Sequence, residues 1–144
     1  MSATLDANIL LYASDERSPL HARAAEFLHA VARGPELLYV FWPTVMAYVR
    51  VATHPAIFDS PLPLTTAIAN VGRLLALPHV QTAGESERFW ERFTDVTADS
   101  DPRGNLVSDA HIVALMVENG VRTMWTHDRD YRRFSDIRVR DPFE

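Results

Sequence analysis

The chain has 144 residues, 47% of them hydrophobic, a net charge of −5 and no cysteine. Its length and apolar content suit one domain spanning 1–144 with a full core, and the missing cysteines exclude disulfides, thiolate zinc sites and cysteine nucleophiles. All fourteen basic residues are arginine, which excludes lysine-dependent chemistry, and the acidic balance leaves only local contacts for any nucleic acid.

The first strand is expected almost at Met1, from Ala3 to Leu5, which leaves no room for a signal segment. Asp6 and Asn8 then turn the chain into a helix carrying Ile9, Leu10 and Tyr12. Ser18 and Pro19 open a second helix through about Arg33, with Ala24, Ala25, Leu28 and Val31 inward and Gly34 as its stop. The run Leu37 to Trp42 predicts a buried strand, and Pro43 starts a helix through about Thr53. The apolar stretch Leu37 to Val49 is interrupted by Pro43 and Thr44 and falls short of the roughly 20 residues that span a bilayer. A soluble, cytoplasmic protein without membrane contact is expected.

Pro55, Pro61 and Pro63 exclude regular helix from the segment His54 to Leu64. Helical period returns over Thr65 to Leu77, a short strand follows at His79 to Thr82, and Ser86 to Val96 predicts a helix built around Phe89, Trp90 and Phe93. Asp99 to Gly104 reads as a polar loop. Leu106 to Glu118 is an apolar helix stopped by Asn119 and Gly120. Arg122 to Thr126 and Ile137 to Val139 supply the last strands. Strands alternating with helices in this way predict an α/β fold, a central mainly parallel sheet covered by helices on both faces.

In such a sheet, ligand sites lie in the crevice beyond the carboxyl ends of the strands. Asp6 follows the first strand, Asp128 follows the fourth, and Asp109 sits in the expected first turn of the helix before that fourth strand. Each has a plain structural alternative: Asp6 as an N-cap, Asp109 as a complement to the helix dipole, Asp128 as a turn former. Their joint placement points instead to one cluster. Carboxylates about 4 Å apart repel by roughly 4 kcal/mol per pair at an effective dielectric near about 20. A hard divalent cation removes that penalty, and Mg²⁺ suits a few carboxylates with several retained waters. Such ions activate water for phosphodiester hydrolysis.

The segments LDANILLYA, GNLVSDAHIVALMVENG and THDRDYRRF, with VRVATHPAIF and the closing RVRDPFE, resemble in order and spacing the PIN domain family, specifically the VapC toxin ribonucleases of bacterial toxin–antitoxin pairs. The likeness covers essentially the whole chain. It implies a three-layer α/β/α fold and an endoribonuclease dependent on Mg²⁺, with Mn²⁺ as a substitute. It also implies a homodimer and a VapB-like antitoxin that blocks the site by forming a heteromeric complex. Asp6 and Asp109 match the family's principal metal ligands, and Asp128 matches the acid of its T-x-D-x-D-F/Y motif. Asn8 and Thr126 match supporting polar positions, although Asn8 equally suits a helix start and Thr126 a locally bonded strand residue. Asp130, the motif's second acid, is assigned to the turn.

One position departs from the family. The helix after the second strand usually carries a glutamate, and here Ala47 stands there, with no carboxylate between Thr44 and Arg50. Weaker occupancy of a second metal site is expected, or its completion by a bound phosphate or an acid of the partner. Arg50, one turn on, suits an RNA phosphate or an acidic antitoxin residue, or equally a solvated or structurally paired position. Arg129, Arg132 and Arg133 form a basic cluster suited to RNA backbone contacts or to solvation. Core packing is favoured over base stacking for Trp42, Trp90 and Trp125. No paired H-x-x-x-H spacing supports zinc, and His111 and His127 flank the acidic motifs without an assigned role. Phosphoaspartate chemistry also uses an aspartate after a first strand but normally needs a lysine. The alternative to the enzyme is a catalytically degenerate PIN domain that binds RNA or protein.

Overall fold

A computed structural model describes residues 2–144. Five strands, β1 (Ser2–Leu5), β2 (Leu37–Phe41), β3 (Val80–Ala83), β4 (Thr123–Trp125) and β5 (Arg138–Arg140), form one sheet in the order β3-β2-β1-β4-β5. Every pairing is parallel. Parallel neighbours need a crossover between them, and six helices supply the connections: α1 (Ala7–Ser14), α2 (His21–Arg33), α3 (Trp42–Ala52), α4 (Leu64–Leu75), α5 (Phe89–Ser100) and α6 (Asn105–Glu118). A short 3₁₀ helix, η1 (Arg129–Arg133), lies between β4 and β5.

Alternation along β2 divides the core. Leu38 and Val40 face a layer with Leu5, Leu10, Val45, Tyr48, Ala52 and Ala67, on the side of α1, α3 and α4. Phe41 faces the other layer, where α6 contributes Ile112 to Met116 beside Met124, Tyr131 and Phe134. Helix α6 is apolar nearly all round because it is covered by the sheet on one side and by α5, through Phe89 and Phe93, on the other. A smaller cluster of Ile9, Ala24 and Phe143 ties the C-terminal segment to α1 and α2. The three-layer α/β/α arrangement expected above is therefore present. No helix among the described residues is long and apolar enough to cross a membrane.

Three local expectations change. Helix α2 begins at His21, because Ser18 and Pro19 instead form a turn in which the Ser18 hydroxyl accepts from the Leu20 amide at 3.1 Å. Helix α5 runs from Phe89 to Ser100, so Asp99 is helical and the break comes at Asp101, which adopts φ 44°. Strand β2 ends at Phe41 and Trp42 opens α3, with Pro43 in its first turn where a missing N–H is harmless. Trp42 is accordingly 45% exposed, and Trp90, on the outer face of α5, is 71% exposed. Of the three tryptophans only Trp125 is substantially covered, between Phe27 at 5.1 Å and the Arg140 guanidinium at 4.8 Å.

Candidate metal centre

From β1 the chain proceeds outward to β2 and β3 on one side of the sheet, and β4 and β5 lie on the other. The reversal falls between β1 and β4, and a crevice opens at the carboxyl ends of strands flanking such a point. Leu5 and Trp125 are register partners there, so the residues that follow them, Asp6 and Thr126, emerge side by side.

Asp6 is the N-cap of α1. Its backbone N–H donates to Trp125 O at 2.9 Å, its Oδ1 accepts from the Asn8 amide at 3.4 Å, and its Oδ2 accepts from Thr126 Oγ1 at 2.8 Å. The capping alternative and the cluster are thus both served by one carboxylate with two oxygens. Thr126 is buried and joins two acids, since its Oγ1 also accepts from the Asp128 amide at 2.9 Å. It is not a merely local strand hydroxyl. Asp128 caps η1 by accepting from the Asp130 amide at 2.9 Å. Asn8 contributes its backbone N–H; its side-chain amide makes no hydrogen bond among the described residues.

Asp109 lies past the first turn of α6, which starts at Asn105 and holds no acid in that turn. The dipole effect fades within one turn, so it does not account for this carboxylate. Burial pushes the Asp109 carboxyl up to about 6, with further upward contributions from the charges of Asp6, Asp128 and Asp130, partly offset by the Tyr131 hydroxyl. Burial also raises Asp6, against the hydrogen bond from Thr126, and Asp128 adds to the rise. Asp6, Asp109 and Asp128, from three distant segments, thus lie near enough for their charges to act on one another, and Asp6 and Asp109 each carry an electrostatic penalty from their neighbours. Among the described residues no group of three His, Asp or Glu side chains is placed to hold a metal ion by itself. Asp6 and Asp109 with substrate and water ligands match the way Mg²⁺ is bound, through one or two carboxylates rather than an all-protein cage.

Two features around the crevice were not assigned from sequence. Tyr131 is buried beside Asp109, and its phenol is pushed well up by burial and by the charges of Asp6 and Asp109. An aromatic residue directly after HDRD was the available signal. His127 pairs with Asp141 at 2.8 Å, and its ring packs on Tyr12 and Phe143. Asp141 looked like an ordinary Asp-Pro turn residue; only the folding of the C-terminal segment onto α1 and α2 reveals its partner. His111 bonds Glu85 at 2.5 Å and packs on Phe89, linking α6 to the loop before α5. Ala47 is half-buried on α3, while Arg50, in the last turn of that helix, and Arg129 in η1 are exposed. Away from the carboxylates, an apolar groove between the helices is lined by Leu10, Leu28, Val45, Val71 and Leu74. At its polar end Tyr48 Oη bonds Ser14 at 2.7 Å and Asn70 at 3.0 Å.

The PIN domain family model matches residues 3–137. Over 143 residues, covering 99% of both chains, the sequence is 43% identical to Ribonuclease VapC48 of Mycobacterium tuberculosis. It is 32% identical to Ribonuclease VapC37 of the same species, over 96% of this chain and 95% of that one. Among solved structures, VapBC2 from Rickettsia felis bound to a promoter DNA fragment aligns with a TM-score of 0.71 and 12% identity, covering 98% of each chain. The M. tuberculosis sarcin–ricin loop cleaving toxin VapC20 aligns with a TM-score of 0.67 and 15% identity, covering 94% of this chain and 98% of that one. At such identities the structural matches establish the fold, and the sequence matches establish kinship: the chain belongs to the PIN domain family, in its VapC branch.

Proposed function

We propose that this protein is a Mg²⁺-dependent endoribonuclease, the toxin of a type II toxin–antitoxin pair, which hydrolyses RNA phosphodiesters by attack of water. The observation that carries the reading is the convergence of Asp6, Asp109 and Asp128 at the β1/β4 reversal, with Asp109 pushed up to about 6. Asp6 and Asp109 are the residues that would hold the ion. When bound, it neutralises these carboxylates and supplies Lewis-acid activation of water, with Mn²⁺ able to substitute. Thr126 holds Asp6 and the Asp128 backbone in fixed relation through one hydroxyl. Asp128 orients the attacking water, and Asn8 supports the first turn of α1 against Asp6.

The test is inducible expression with mapping of RNA cleavage ends. Wild-type protein is expected to generate defined new ends in the presence of Mg²⁺, and chelation or Asp109→Asn to remove them. Intact RNA in every case would favour a degenerate PIN domain that only binds.

Ala47 bears on the number of ions. With no carboxylate from α3, the cluster has less charge to neutralise a second cation. Ala47→Glu is expected to tighten Mg²⁺ binding several-fold, read by calorimetry in the absence of RNA. Unchanged affinity would show that α3 does not contribute to the centre.

A VapB-like antitoxin is the proposed partner. The groove along Leu10, Leu28 and Val71 offers apolar surface to such a chain, and Arg50 offers an exposed guanidinium on α3. Exposed Trp42, Met46 and Trp90 provide apolar area for a homodimer contact. Apolar patches of this kind mark association surfaces when contiguous.

A further inference from the structure

The chain is acidic overall, yet residues 122–140 contain six arginines against three aspartates. Arg122, Arg129, Arg132, Arg133, Arg138 and Arg140 are all exposed. Among the described residues none of the six takes part in a salt bridge, since the bridges formed by arginine involve Arg88 and Arg103. Arg140 stacks on Trp125, and the excess of guanidinium groups without a carboxylate partner gives an otherwise negative molecule a local surface suited to an anionic partner.

They flank the β5 border: Arg138 and Arg140 lie on the sheet face of Trp125, and η1 packs through Tyr131 and Phe134 on the opposite face, against α6. β5 is one of the two edge strands of the sheet. Arg138 and Arg140 are two residues apart on that strand and therefore share a face. Arg140 is the register partner of Trp125 and lies over its ring at 4.8 Å. Its carbonyl accepts from the Thr126 amide at 2.9 Å, so the upper end of the border is bonded to the residue that holds Asp6. At the lower end the Arg138 amide donates to Arg122 O at 2.7 Å. η1 carries Arg129, Arg132 and Arg133 immediately after Asp128.

We propose that β5 and η1, on either face of the sheet edge, form a track for the backbone of single-stranded RNA that crosses this edge beside the carboxylate crevice. Phosphates repelled by Asp6, Asp109 and Asp128 are held beside them by guanidinium groups, and Arg is suited to bidentate contact with phosphate. Charged residues on an edge strand also prevent pairing with another sheet. That role is satisfied by β5 alone and does not call for the three arginines of η1. The track rests on the ribonuclease reading, and its test measures binding rather than cleavage so that the two can fail separately.

The full chain carrying Asp109→Asn is titrated with a single-stranded oligouridylate at several salt concentrations, alone and with Arg138→Gln and Arg140→Gln added. Each phosphate contact contributes about 0.7 to the slope of log affinity against log salt for single strands, so the double change is expected to lower that slope by about 1.4. Affinity at moderate salt should fall on the order of 10-fold. Arg17→Gln with Arg103→Gln, which removes the same charge elsewhere, should leave the slope unchanged, and thermal melting confirms that each variant is folded. An unchanged slope in the Arg138/Arg140 variant overturns the track, even if the wild type cleaves RNA. Equal losses in both pairs also overturn it, because they indicate bulk charge alone. A lower slope only for the edge pair supports the track, even should the wild type prove unable to cleave. If the edge variant binds RNA normally but loses binding to polyglutamate, the border serves an acidic protein segment and the RNA track is rejected.

Discussion

Asp109→Asn is expected to reduce RNA cleavage by at least about 100-fold, more than the roughly 10–100-fold that residues supporting a metal ligand are usually worth. The same substitution is expected to make the metal-free protein more stable at pH 7. Asp109 has an ordinary value of 3.8 and is pushed up to about 6 by burial and then by its acidic neighbours. Between those values the folded protein retains a proton that the unfolded chain has released. This group therefore favours the fold most below 3.8, and the advantage is lost as pH rises through about 6. At pH 7 the wild type carries an ionised, half-buried carboxylate facing other acids, which asparagine replaces with a neutral isostere. Because the site is partly open to solvent, the gain is discounted to on the order of 1 kcal/mol. Thermal melts in chelator should show Asp109→Asn above wild type at pH 7 and the two converging near pH 4. Mg²⁺ should raise the melting temperature of the wild type far more than that of the variant. Protons and the cation compete for one carboxylate, so cleavage by the wild type should decline as pH falls below about 6. A variant less stable than wild type at pH 7 would contradict the electrostatic account of the crevice.

Asp6 allows a sharper separation, because it is both a proposed ligand and a structural cap. Asp6→Asn retains a side-chain oxygen able to receive the Thr126 hydroxyl or the Asn8 amide, and it is expected to lose at least about 100-fold in cleavage without loss of stability. Asp6→Ala removes both interactions. The Thr126 hydroxyl, 1% exposed, then loses its acceptor and α1 loses its cap. Relative to Asn, the Ala variant is expected to be less stable by about 1–3 kcal/mol, measured by urea unfolding with cleavage assayed in parallel. If Asn and Ala unfold alike, the Thr126–Asp6 bond has no part in holding the two segments together. If Asp6→Asn cleaves as well as wild type, Asp6 is not a ligand.

Much of the architecture was legible because each element repeats a simple physical pattern. The apolar runs at β1, β2 and β4 mark strands, Pro43 marks the start of α3, and Gly120, at φ 68°, provides the left-handed turn expected after α6. Boundaries failed where local signals competed: Ser18-Pro19 resembles a helix start but closes a turn, and the polar residues at the end of α5 resemble a loop but remain helical. Exposure of Trp42 and Trp90 was not readable, since an apolar side chain at the right period does not declare which helix face is left uncovered.

The site was legible in part for a different reason. Asp6, Asp109 and Asp128 each stand beside a recognisable strand or helix, and sheet topology alone carries them to a common edge. Asp141 and Tyr131 depend on contacts that no local pattern encodes. Asp141 reaches His127 because β5 pairs with β4 so that Arg140 lies opposite Trp125, and the burial of Phe143 against Ile9 and Ala24, with the Arg23 guanidinium on its carbonyl at 2.6 Å, fixes the segment beyond.

The bond from Thr126 to Asp6 closes a span of 120 residues, and Asp109 is set into the crevice by a helix that ends just before the strand leading to Thr126. A ribosome therefore releases Asp6 early, but the crevice has no second wall until β4 and β5 have left the exit tunnel. Synthesis in order from the N-terminus makes the carboxylate crevice one of the last things the nascent chain acquires.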